Sequence, residues 1–108
     1  MKILILGAGR VGSSLASTLS RENYDVSIID HNKDKLLRLQ EDFDLATVIG
    51  HASHPNILEN AGADEETILL AVTSSDECNI ASCQIAKSKF RVKKTICRLS
   101  DASYLGSL

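Results

Sequence analysis

Gly7-Ala8-Gly9-Arg10-Val11-Gly12 stands between an apolar run, Lys2–Leu6 (KILIL), and a stretch, Arg10–Ser20, whose apolar residues Val11, Leu15 and Leu19 recur at helical spacing. Three glycines in the pattern G-x-G-x-x-G are a weak signal by themselves, because glycines gather in many kinds of turn. Between a strand and a helix each has a separate task. Gly7 permits the tight turn, Gly9 lets a pyrophosphate approach the backbone, and Gly12 lets helix and strand pack closely. The free N–H groups at the start of such a helix then face an anion.

The remaining sequence repeats the strand-then-helix alternation. Asp25–Asp30 (DVSIID) reads as a second strand, and Leu36, Leu39 and Phe43 mark a second helix and its exit. Ala46–Ile49 is a short third strand bounded by Gly50. Asn56–Asn60, entered by Pro55, is a short helix ending before Gly62. Thr67–Val72 (TILLAV) is as apolar as a strand covered on both faces should be. Asp76–Lys89 is a third long helix, Lys94–Arg98 a fifth strand, and Ala102–Leu108 looks like the opening of another helix. Repeated β-then-α units require right-handed crossovers and a parallel sheet. The expected fold is therefore α/β, a Rossmann-type doubly wound parallel sheet with helices on both faces, five strands being present and a sixth due beyond the chain end. The 108 residues suit one domain, residues 1–108, and we expect it to be a fragment of a longer chain.

Composition excludes several classes of function. Twelve basic and fourteen acidic residues, with no long run of either sign, argue against nucleic acid as a partner. No apolar run approaches the roughly 20 residues that span a bilayer, and the N-terminus has no signal-peptide cleavage pattern. The three cysteines, Cys78, Cys83 and Cys97, lack metal-ligand spacing and read as reduced, buried small hydrophobes, with a disulfide or redox switch as the alternative. His51-Ala52-Ser53-His54 places two histidines three apart without a nearby third ligand, so a polar loop near a bound base is favoured over a metal site.

Asp30 ends the second strand twenty-three residues after Gly7, where a carboxylate can accept from both hydroxyls of an adenosine ribose. It would repel a 2′-phosphate, which favours NAD(H) or ATP/ADP over NADP, although His31 and Lys33 would soften that repulsion. Thr73-Ser74-Ser75-Asp76 follows the fourth strand, where the strand order reverses. Thr73 and Ser74 can offer hydroxyl and N–H groups there, with Ser75 or Asp76 as the helix cap. Arg98 ends the fifth strand on the same edge, within reach of a phosphate. Nothing supplies a substrate domain, a Tyr-x-x-x-Lys pair or a Cys/His nucleophile arrangement.

Over essentially its whole length the chain resembles the RCK/KTN family, the N-terminal nucleotide-binding domains of TrkA-type regulatory subunits in bacterial Trk potassium-uptake systems. MKILILGAGRVG, VSIID, VIGHASHPNILENAGA, ILLAVTSSDECNIASCQIA and CRLSDASYL carry the resemblance. The combination GHASHP, AGA and AVT-x-x-DE-x-N is far more specific than the glycine motif, which all Rossmann proteins share. The resemblance implies a cytoplasmic protein, peripheral to the inner face of the membrane, that binds NAD or NADH and/or ATP/ADP. It implies control of a membrane potassium transporter subunit of the TrkH type, and a further C-terminal ligand-binding domain. Implied nucleotide contacts are Gly7, Ala8, Gly9, Arg10, Val11, Asp30, Thr73, Ser74 and Arg98; with Gly12 they complete the candidate cofactor-binding set, which has no catalytic and no metal-binding member. His51 stands where many relatives carry aspartate, which counts against an acid-mediated contact at that loop. The helix Asp76–Lys89 bears Cys78, Ile80, Ala81, Cys83, Ile85 and Ala86 in nearly every direction, and so predicts cover by a second subunit, a homo-oligomer (dimer or tetramer). Two function classes remain: a nucleotide-sensing regulatory domain, and the cofactor-binding half of a truncated NAD-dependent oxidoreductase.

Overall fold

Consecutive apolar residues in short strands send side chains to both faces of a sheet, and this chain provides helices for each face. A computed structural model describes residues 1–51, 54–101 and 103. In chain order the elements are β1 (Lys2–Leu6), α1 (Arg10–Arg21), β2 (Asp25–Asp30), α2 (Lys33–Asp42), β3 (Ala46–Ile49), α3 (Pro55–Asn60), β4 (Thr67–Ala71), α4 (Asp76–Phe90) and β5 (Lys94–Cys97). All strand pairs are parallel and the sheet order is β3-β2-β1-β4-β5. This is the expected Rossmann-type α/β fold. The strands expected to run through Val72 and Arg98 end one residue earlier. Their ladders nevertheless continue by one bond each, Val72 N–H to the Leu6 carbonyl (3.0 Å) and Arg98 N–H to the Ala71 carbonyl (2.9 Å). The helix expected over Ala102–Leu108 lies outside the described residues apart from Ser103.

Ile3, Ile5, Val26, Ile28 and Leu70 meet Ala16, Leu36 and Leu39 under α1 and α2. Leu4, Leu6, Ile29, Leu69 and Ala71 meet Leu58, Cys83 and Ala86 under α3 and α4. Burying one such aliphatic side chain contributes about 1.5–3 kcal/mol. The stabilising apolar contacts therefore concentrate on the central strands β2, β1 and β4, while Ile49 and Ile96 on the edge strands stay exposed.

Gly12 lies in the first turn of α1, where a Cβ would run into the Gly7 carbonyl oxygen and stand 3.5 Å from Ile5 Cγ2. Its role is the close helix–strand approach expected of the third glycine. Gly7 adopts φ = +105°, and its N–H donates to the Ile29 carbonyl at 2.8 Å, which pins the turn to β2.

The structure corrects the reading of α4. Its buried residues are Asp76, Asn79, Ile80, Ser82, Cys83 and Ala86, so polar side chains share the inward face with apolar ones. Ile85 and Cys78 are half-buried against the core of the same chain. The apolar positions looked scattered because Asp76, Asn79 and Ser82 occupy inward positions that periodicity assigns to hydrophobes. A second subunit is not needed to cover Ile80 or Ile85.

Candidate functional site

The strand order reverses between β1 and β4, and in open parallel sheets the crevice at the carboxyl ends of such strands is where ligands bind. A cleft of about 880 Å³ opens there, lined by Gly7, Gly9, Arg10 and Val11 from the glycine loop, Asp30 and His31 at the end of β2, Gly50 and His51 after β3, Val72–Ser75 after β4 and Arg98 after β5. Its volume falls within the range of about 300–1,000 Å³ common to small-molecule sites. Lys35, Glu77, Cys78 and Ala81 complete much of its wall.

The helix starts around the cleft differ. Asn32 caps α2 by accepting from Lys35 N–H, and Ser75 caps α4 by accepting from Cys78 N–H (3.1 Å). No side chain caps α1, whose N-cap is Gly9. The N–H groups of its first turn are thus left to an outside acceptor, and the positive end of the helix favours an anionic one. A Cβ built on Gly9 meets nothing within 4 Å, so the backbone there is open to close approach. Arg10, Lys35 and Arg98 add positive charge around the same cleft.

Asp30 is buried, and its carboxylate already organises the loop. Oδ2 accepts from Ala8 N–H and Oδ1 from Asn32 N–H, both at 2.7 Å. Each oxygen retains a lone pair for a diol. His31 Nδ1 lies 3.7 Å from Asp30 Oδ1, and the His31 ring stacks on His51 with centroids 5.8 Å apart.

Of the candidate set, Gly7, Gly9, Arg10, Val11, Asp30, Thr73, Ser74 and Arg98 converge on the cleft. Ala8 and Gly12 do not line it. Ala8 is buried and holds Asp30, and Gly12 is a packing glycine. The basic residue on α2 that reaches the cleft is Lys35, not Lys33, because two residues on a helix face nearly opposite directions. Thr73 also differs from expectation. Its N–H and hydroxyl both donate to Asn79 Oδ1, at 2.9 and 2.6 Å, so they are committed within the protein. Asn79 is fully buried, and its Nδ2 donates to the carbonyls of Thr73 (3.0 Å) and Arg98 (2.9 Å). Sequence reasoning gave Asn79 no role. The available signal was a carboxamide inside the inward stripe of α4, three residues after Asp76 and four before Cys83.

His51 lines the cleft, whereas exposed His54 is the N-cap of α3; Ala52 and Ser53 between them lie outside the described residues. Among the described residues no group of three or more His, Cys, Asp or Glu side chains converges to hold a metal ion. Among them, too, no helix is long and apolar enough to cross a membrane.

All three cysteines are free, with Cys83 buried and Cys78 and Cys97 half-buried. Burial pushes the Cys83 thiol up to about 11, and the neighbouring Cys97 thiol adds to the rise. Burial also raises Cys97. Since the thiolate is the reactive form, a reagent such as a maleimide near neutral pH is expected to label Cys83 after Cys78. Mass mapping of partly labelled native protein checks the order, and faster labelling of Cys83 would contradict it. The folded chain keeps Cys83 protonated up to about 11, whereas an unperturbed thiol ionises near 9.0. This group's contribution is therefore intact below about pH 9, and folding stability is lost as pH rises through that window.

Comparison with known proteins finds matches over nearly the whole chain. The TrkA-N domain family matches residues 3–108. The Trk system potassium uptake protein TrkA of Vibrio alginolyticus is 49% identical over 105 residues, covering 97% of this chain and 23% of that protein. A TrkA homolog of Pyrococcus horikoshii is 35% identical over 101 residues, covering 94% of this chain and 44% of that protein. The chain thus spans about a quarter to under half of these relatives. Among solved structures, the NAD(P)-binding domain of an exopolyphosphatase-related protein from Archaeoglobus fulgidus superposes with a TM-score of 0.81 at 22% identity, covering 96% of this chain and 77% of that one. The Shewanella denitrificans Kef C-terminal domain in its AMP-bound form gives 0.77 at 24% identity, covering 94% and 60%. At such identities the two structures establish the fold alone.

Proposed function

Because the chain belongs to the TrkA-N domain family, we propose that residues 1–108 form the nucleotide-sensing domain of a regulatory subunit that controls potassium uptake through a membrane transporter. The observation that carries the reading is the pairing, across one cleft, of an uncapped α1 N-terminus with the buried Asp30 carboxylate. A helix start suits phosphates and the acid suits a ribose diol, so the two ends match an adenosine diphosphate unit. NAD, NADH, ATP and ADP all contain it. The contacts in this reading come from Gly7, Gly9, Arg10, Val11, Asp30, Ser74 and Arg98, with Thr73 shaping the loop.

We assign the domain ligand sensing and no catalytic step, since the relatives that it matches are named as components of an uptake system. The proposed partner is a TrkH-like membrane subunit, reached from the cytoplasmic side. Self-association belongs to the same proposal; its apolar contacts would come from exposed Ile49 and Ile96 rather than from α4.

Calorimetric titration of NAD, NADH, ATP and ADP tests the reading, and absence of saturable binding for all four would refute it. A sharper expectation concerns Arg10, which lies in the x-x of the glycine loop, is exposed, and lines the cleft. Arg10→Ala is expected to weaken ATP more than NADH, because a γ-phosphate adds charge that a diphosphate bridge lacks. Equal losses would confine Arg10 to the shared diphosphate, and no loss would make it a solvated first-turn residue.

A further inference from the structure

Asp76 opens α4 but does not cap it, since Ser75 has that role. Its carboxylate instead accepts from Ser100 N–H, at 2.9 Å to Oδ1 and 3.0 Å to Oδ2, and from Asp101 N–H at 2.9 Å. One turn later Asn79 holds Thr73 through its N–H, hydroxyl and carbonyl, and holds Arg98 through its carbonyl. A single turn of α4 therefore binds two separate segments, the Thr73–Ser75 loop after β4 and the Arg98–Asp101 segment after β5. Both Asp76 and Asn79 are buried, with 8% and 0% of their surface exposed. Buried polar groups that lose their partners are strongly disfavoured, so each set of bonds favours the packed arrangement in which the other can form.

We infer that Asp76 and Asn79 are positioning residues that couple occupancy of the cleft to the order of the chain leaving β5. The inference rests on the proposed reading that a nucleotide fills the cleft, because Thr73, Ser74 and Arg98 line it. A ligand that steadies Thr73–Ser75 steadies Asn79 and the first turn of α4. Through Asn79 it then holds the Arg98 carbonyl, and through Asp76 the amides of Ser100 and Asp101. The reverse also holds, since coupling between two sites is reciprocal: whatever grips the segment beyond β5 alters nucleotide affinity by the same factor. Asp76 and Asn79 correspond to the D and N of AVT-x-x-DE-x-N, whose spacing of three places both on one helix face.

Residue-resolved amide exchange by NMR, with and without saturating NADH, tests the coupling on the chain. NADH is expected to slow exchange at Ser100 and Asp101 about fivefold or more, the lower end of ordinary site-to-site coupling. Asp76→Asn is expected to reduce that slowing, because one of the two oxygens that face the donating amides becomes an NH₂ group and the negative charge is lost. The Ser75 cap and the Asn79 bonds are left in place, so NADH still binds. Asp76→Glu, which keeps the carboxylate, is expected to restore part of the slowing. Unchanged Ser100 and Asp101 exchange in wild-type protein that demonstrably binds NADH would overturn the coupling and leave the cleft reading standing. Slowing that is undiminished in Asp76→Asn would overturn the role of Asp76. Absence of NADH, NAD, ATP and ADP binding would refute both together. The wild-type comparison decides the first point even if Asp76→Asn does not fold.

Discussion

Replacing Asp30 with alanine is expected to weaken NADH and ATP binding together, by about tenfold or more, and to destabilise the fold as well. Both ligands present the same adenosine diol, and a hydrogen bond to a charged group is worth about 1.5–3 kcal/mol. The structure adds a second consequence. Asp30 accepts 2.7 Å bonds from the N–H groups of Ala8 and Asn32, and alanine leaves both without that partner. Loss of two charge-assisted bonds predicts destabilisation of about 3 kcal/mol or more. Asp30→Asn separates the two effects, since its remaining oxygen can still accept from one amide while the negative charge is gone. It should fold, with reduced stability, and bind both nucleotides poorly. Denaturant unfolding paired with calorimetry reads the two effects independently. A folded Asp30→Asn that binds NADH and ATP like the parent would leave Asp30 as an organiser of the glycine loop alone.

Gly12→Ala and Gly9→Ala are expected to have opposite effects, although the two glycines are three residues apart in one motif. The Gly12 Cβ would meet the Gly7 carbonyl, which is backbone and part of the turn held by the Gly7–Ile29 bond. Relief requires α1 to shift away from β1. Overpacking of a tight site costs about 1–3 kcal/mol and more when the backbone must move, a large part of a stability of about 5–15 kcal/mol. Gly9 has φ = −76° and ψ = −160°, open to any residue, and its Cβ meets no protein atom within 4 Å. Gly9→Ala should therefore melt within a few degrees of the parent. Its methyl group would occupy the space by which a pyrophosphate reaches the α1 amides, and nucleotide binding should fall at least tenfold. Thermal melts by circular dichroism and the same titrations distinguish the two cases. A Gly9→Ala protein with parental NADH affinity would remove the phosphates from this loop.

The elements, the parallel sheet and the strand-end positions of the cleft residues were legible in the sequence. Hydrophobic alternation, helical spacing and glycine or proline punctuation act over a few residues and leave local marks. The third glycine's packing role followed from such a mark, as did the placement of Asp30, Ser74 and Arg98 on one edge of the sheet. Only the tertiary structure decided what the polar residues of α4 do. Asp76 meets amides 24 and 25 residues away, Asn79 meets a carbonyl 19 residues away, and Ala8 meets a carboxylate 22 residues away. Such pairings exist because the sheet order places the ends of β1, β2, β4 and β5 side by side, and no local pattern encodes which buried donor will face which acceptor. The same limit explains α4. Its apolar residues looked like surplus surface until the fold showed Asp76, Asn79 and Ser82 facing inward, with Asp76 and Asn79 satisfied by groups from the segments that follow β4 and β5. Periodicity records where a chain hides hydrocarbon. Where it hides hydrogen-bonding groups is settled by the partners that distant segments bring, because a buried polar group is tolerated only where one is supplied.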